Sequence, residues 1–104
     1  MHSIKNIIKE MSLEQKVGQL FIVAFPSKDV NKIAPLIKDY QLGGCYISDE
    51  NASSFKEARE LSTKIQDIAL AQNEHLPLLL AVDQEGAWSV LSEDSITGPG
   101  NLAL

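Results

Sequence analysis

"LLLAVDQEG", residues 78–86, sets five apolar residues in a row, delivers Asp83, Gln84 and Glu85 without a spacer, and closes on Gly86. A strand with no polar alternation reads as buried on both faces, which is the pattern of a parallel sheet with helices packed against it. Two upstream runs have the same character: "LFIVAF" at 20–25, ended by Pro26, and "CYIS" at 45–48. The stretches between them carry helical periodicity. The order is therefore β-α-β-α-β behind a helical preface, an α/β class with no internal repeat, low-complexity segment or linker.

The helices announce themselves by spacing and caps. Ile4, Ile7, Ile8 and Met11 form one stripe, and "SLEQ" at 12–15 reads as a capping box that starts a second short helix at Ser12. Val30, Ile33, Ile37 and Tyr40 recur at helical spacing behind Asp29, a candidate N-cap. Pro35 inside that pattern predicts a short turn first and then a helix with the proline near its first position. Gly43 and Gly44 follow, and one of them is expected to supply a left-handed C-terminal cap. Ser54 and Glu57 predict a further capping box, heading a helix whose face is Phe55, Ala58, Leu61, Ile65, Ile68 and Ala69.

Composition narrows the partners. The 104 residues are 44% hydrophobic and 22% charged, the balance of a globular domain. A net charge of −5 with scattered lysines offers phosphates no basic stripe, so nucleic-acid binding is not expected. No run approaches the roughly 18 apolar residues of a membrane span, and lysines and a glutamate interrupt "MHSIKNIIKEMSLEQK", so a cytoplasmic location is the expectation. The single cysteine, Cys45, lies in the apolar "GGCYIS" and reads as a small buried hydrophobe. His2 and His75 each stand alone, so neither a metal nor a cofactor is assigned.

Ligands of parallel α/β folds bind beyond the carboxyl ends of the strands. Three such ends exist: Phe25-Pro26, Ser48-Asp49-Glu50, and Asp83-Gln84-Glu85. Asp83 and Glu85 would share a side if the backbone stayed extended; a solvated strand end is the competing reading. Asp49-Glu50 and Glu93-Asp94 read as ordinary loop charges. Trp88 is either a sugar-stacking platform or a residue packing its loop on the sheet rim.

"MSLEQKVGQLFIVAF" at 11–25, "LGGCYIS" at 42–48, "LLLAVDQEG" at 78–86 and "GPGNLAL" at 98–104 together resemble the start of glycoside hydrolase family 3, the group of β-N-acetylhexosaminidases and β-glucosidases. The resemblance implies a (β/α)8 TIM barrel, of which residues 1–104 would be the N-terminal portion, about three strands of a fold of roughly 250 residues. The end of the chain at an apolar helix start, with Asn101 as its N-cap, agrees with that. It also implies a carbohydrate substrate, β-linked and of N-acetylhexosamine or glucose type, and a retaining mechanism with an aspartate nucleophile and a separate acid/base. Both catalytic groups would lie downstream, so this segment is expected to hold none and to be inactive alone. The resemblance assigns Asp83 to accepting hydrogen bonds from hydroxyls of the non-reducing sugar. Gln84, Glu85 and Gly86 would brace and turn the loop, with Trp88 a possible pocket residue. Many hexosaminidases continue the motif with a second glycine and arginines; here it reads Ala87-Trp88, then Val90-Leu91. The alternative is a non-catalytic α/β module binding a ligand or partner at its strand ends. A complete module would cover both sheet faces, whereas a barrel segment would leave the edge of the third strand open and an apolar face bare.

Overall fold

Three parallel strands hydrogen-bond side by side in chain order in the computed structural model, which describes residues 3–72, 75–86, 91, 92, 94–96 and 98. They are β1 (Ile22–Ala24), β2 (Gly44–Tyr46) and β3 (Leu79–Ala81). Their register aligns Val23, Cys45 and Leu80 in one row, with Ile22-Gly44-Leu79 below it and Ala24-Tyr46-Ala81 above. β1 and β3 lie inside their apolar runs and are shorter than them, while β2 begins one residue before its run, at Gly44, and ends at Tyr46.

Local chemistry explains the helices. Ser3 caps α1 (Ile4–Glu10) by accepting from the Asn6 amide. Ser12 heads α2 (Leu13–Gly18) with both bonds of a capping box, its hydroxyl accepting from Gln15 N at 3.2 Å and its amide donating to Gln15 Oε1 at 2.7 Å. Asp29 caps a 3-10 turn, Val30–Lys32, and α3 (Ala34–Tyr40) follows with Pro35 in its first turn, where a missing N–H costs nothing. At α4 (Phe55–Leu70) only half of the expected box forms. Ser54 Oγ accepts from Glu57 N, but Glu57 Oε2 turns instead to Ser53 N at 2.8 Å and Lys28 Nζ at 2.7 Å. That ion pair holds the Glu57 carboxyl below its usual range, and it is too exposed to matter much to stability.

The core lies on one face of the sheet. Ile33 and Ile37 from the α3 region, Leu61, Ile65 and Ala69 from α4, and Phe25, Cys45 and Ile47 from the strands and their ends pack together. Gln66 docks α4 on β3 by bonding both ways to Leu78, Nε2 donating to its carbonyl at 2.8 Å and Oε1 accepting from its amide at 2.9 Å. Cys45 is fully buried, as its apolar setting predicts, and burial pushes its thiol up to about 11. Iodoacetamide at pH 8 is therefore expected to leave Cys45 unmodified in the native protein and to label it once denaturant is added; equal labelling in both states would contradict its burial.

Two expectations fail here for physical reasons. The strands are not buried on both faces: Ile22 is 52% and Leu79 68% exposed, and nothing among the described residues covers that side. The outer edge of β3 is also unpaired among the described residues. A bare apolar face and an open edge are what a barrel segment presents, and a complete doubly wound module does not. Along α1, likewise, Ile4 and Ile8 stay exposed and only Met11 at its end is buried.

The glycine pair does not cap α3. Gln41 takes the left-handed position, φ 48°, and donates its amide to the Ile37 carbonyl. Gly43 and Gly44 are needed because other atoms come too close for a side chain. A Cβ on Gly43 would collide with the Gln19 carbonyl, and one on Gly44 would meet Ile22 Cγ1 and the Leu79 carbonyl at 2.8 Å. The middle strand is thus small where its two neighbours are large.

Candidate functional site

The carboxyl ends of the three strands are tied together by two side chains. Asn51, buried to 2% exposure, donates through Nδ2 to the Phe25 carbonyl at 2.9 Å and the Ser27 carbonyl at 2.7 Å, while Oδ1 accepts from Ser48 N at 2.8 Å. It joins the end of β1 to the end of β2. It also supports Ser27, whose φ of 68° is unfavourable for a residue with a side chain. Asn51→Ala is expected to cost about 2 kcal/mol: two carbonyls and an amide lose their partner, although the exposed Ser27 can turn to water. Thermal unfolding checks this, and an unchanged Tm would show that the loops hold without it.

Tyr46 joins β2 to the loop after β3. Its hydroxyl donates to Asp83 Oδ2 at 3.0 Å. The geometry follows from register and pleat. Ala81 is paired with Tyr46, and Asp83, two residues on, returns to the same face. Alanines at 24 and 81 flank Tyr46 in its row, which leaves the ring space to lie across the sheet. The bond to Asp83, reinforced by that carboxylate's charge, raises the Tyr46 phenol above its ordinary range, so Tyr46 stays a neutral donor at physiological pH.

Strand pairing stops at Ala81, and beyond that point the Tyr46 hydroxyl is the partner that holds Asp83. Both carboxylates are exposed. Gln84 Oε1 accepts from the Leu91 amide at 3.1 Å, closing the loop on itself, and Gly86 has φ 95°, a conformation that favours glycine. Trp88 lies outside the described residues, as do Glu93 and the expected helix start at Asn101. Asp94 accepts from the Phe55 amide at 3.2 Å and so supplements the cap of α4, while Asp49 and Glu50 are exposed on the loop after β2.

Sequence reading missed Tyr46 and Asn51. The signal for Tyr46 would have been its place on the sheet face that Asp83 also uses, and that needs the register of β2 against β3. For Asn51 it is the Ser48-x-x-Asn spacing of a side-chain-to-backbone turn. No group of His, Cys, Asp and Glu among the described residues is arranged to hold a metal ion. His75 Nδ1 lies 2.6 Å from the Leu70 carbonyl, a distance that fits an N–H donor closing the end of α4. No described helix is long and apolar enough to cross a membrane. What remains at the strand ends is an exposed carboxylate held from one side, suited to accepting hydrogen bonds from hydroxyl groups.

Comparison with known proteins identifies the family of the fold. Residues 12–104 match the glycosyl hydrolase family 3 N terminal domain. Beta-hexosaminidase A of Pseudoalteromonas piscicida is 28% identical over 75 residues, which cover 70% of this chain and 12% of that protein. The structure of a glycoside hydrolase family 3 beta-N-acetylglucosaminidase from Paenibacillus sp. str. FPU-7 superposes with a TM-score of 0.77 at 35% identity. That match covers 89% of this chain and 18% of the other. The chain therefore spans less than a fifth of either relative.

Proposed function

The chain belongs to glycoside hydrolase family 3, its three parallel strands forming the N-terminal part of a barrel, and from that premise we propose that the complete protein removes terminal β-linked N-acetylhexosamine. Residues 1–104 are on this reading the opening portion of the catalytic barrel and contribute to the pocket for the non-reducing sugar. The observation that carries it is Asp83, exposed at the carboxyl end of β3 and aligned by Tyr46. An ionised carboxylate there has only acceptors to offer, which matches the hydroxyls of a sugar and does not match a phosphate or another carboxylate. Gln84 and Gly86 shape the loop that carries it, and Glu85 belongs to the same loop.

The reaction proposed is retaining, through a glycosyl-enzyme formed and hydrolysed with inversion at each step. Its nucleophile and acid/base lie beyond residue 104. Asp83 positions the sugar and moves no proton.

The test is hydrolysis of 4-nitrophenyl glycosides by the complete protein, with the first-formed anomer followed by proton NMR. The β-N-acetylglucosaminide is expected to be cleaved in preference to the β-glucoside, with the β-anomer appearing first. No turnover of either glycoside, or an α-anomer first, would overturn the reading. The 104-residue chain by itself is expected to release no nitrophenol; release by it would place the chemistry inside this segment.

A further inference from the structure

The geometry points to Tyr46 as a positioning residue that acts on the sugar through Asp83, an inference that rests on the glycosidase reading above. Three observations support it. The Tyr46 hydroxyl is 3.0 Å from Asp83 Oδ2, with Tyr46 on β2 and Asp83 in the segment just after β3, on the same face. Their row is otherwise built of Ala24 and Ala81, so no bulky neighbour competes with the ring for that place. Strand pairing has ended before Asp83, and the phenol is the side chain that holds its carboxylate among the described residues.

The chemistry of the pair follows from its donors and acceptors. A phenol has one proton, and here Asp83 receives it. Oδ2 is thereby turned toward β2, and Oδ1 is left to accept from a sugar hydroxyl. Without Tyr46 the carboxylate would rotate freely about its Cα–Cβ and Cβ–Cγ bonds and would have to be ordered by each arriving substrate. Preorganised carboxylate, not an additional reacting group, is what Tyr46 contributes.

The experiment is a double-mutant cycle in the complete protein with Tyr46→Phe and Asp83→Asn, read as kcat and KM for 4-nitrophenyl β-N-acetylglucosaminide. Tyr46→Phe removes one hydroxyl and keeps the ring. It is expected to lower kcat/KM about tenfold, the scale of one hydrogen bond to a charged group. In the Asp83→Asn background the same change is expected to cost less than about twofold, since the interacting partner is already altered. Equal losses in both backgrounds would make Tyr46 a general support of the sheet and overturn the inference, with the role of Asp83 intact. A large loss for Asp83→Asn with none for Tyr46→Phe would overturn it in the same way. No loss for Asp83→Asn would overturn both readings.

A readout without turnover accompanies the cycle. In protein carrying 13Cζ-tyrosine, the signal lost in Tyr46→Phe identifies Tyr46, and its ionisation is expected at lower pH in Asp83→Asn than in the parent. An unchanged midpoint would show that the two side chains do not interact.

Discussion

Asp83→Asn is expected to lower kcat/KM of the complete protein by about two orders of magnitude while leaving the fold intact. The carboxylate has one oxygen engaged by Tyr46 and the rest of its acceptor capacity open to the mouth. Hydrogen bonds from a ligand to an ionised group contribute about 1.5–3 kcal/mol each. Two sugar hydroxyls losing the charged partner thus give roughly 3 kcal/mol or more, and each 1.4 kcal/mol is about tenfold. Asparagine keeps the size and one oxygen, so the packing around the exposed side chain has no reason to change. The loss belongs in kcat/KM for the sugar, with Tm within about 1 °C of the parent, as for surface substitutions. Steady-state kinetics and a thermal melt check both halves. A change below about threefold would remove Asp83 from the glycone pocket; a collapsed Tm would make its role structural instead.

The second large effect is on stability and comes from glycines whose importance is steric. Gly18 ends α2 and Gly43 precedes β2, and the Gly43 amide donates to the Gly18 carbonyl at 3.0 Å. A Cβ on Gly18 would run into the Tyr40 carbonyl, and one on Gly43 into the Gln19 carbonyl. In both cases the obstacle is backbone, which cannot swing aside as the end of a long side chain can. Gln19 Nε2 also donates to the Gln41 carbonyl at 2.6 Å, so the two segments are stapled where they would have to separate. Overpacking commonly costs 1–3 kcal/mol and occasionally more; with main chain on both sides, at least about 3 kcal/mol is expected for Gly18→Ala or Gly43→Ala. Gly98→Ala is the control, because a Cβ there meets nothing within 4 Å among the described residues. Chemical denaturation of the complete protein should show the first two strongly destabilised or insoluble and the third unchanged. Near-parental stability of Gly43→Ala would mean that the Gln19 turn is free to move.

Reading the sequence located more of the scaffold than of the site. β1 and β3 fall inside their apolar runs, and β2 starts one residue ahead of its run. Asp29, Pro35 and the Ser12-Gln15 box placed the turns and helix starts, because a cap is an interaction within four residues. The failures are equally local in cause. Glu57 abandoned its expected partner because Lys28 and Ser53 reached it first, and the glycine pair was read as a cap when Gln41 had already taken the left-handed turn.

The sequence by itself determined the succession of helices and parallel strands and put Asp83 at a strand end, since hydrophobic period, caps and breakers act over a few residues. Only the tertiary structure decided that Tyr46 grips Asp83 across 37 positions of chain, that Asn51 holds the carbonyl of Phe25 across 26, and that Gly43 must lack a side chain. Those depend on strand register and on how closely distant backbones approach. A one-residue slip of β3 against β2 would send Asp83 to the opposite face and dissolve the pair, with every local signal in the sequence unchanged.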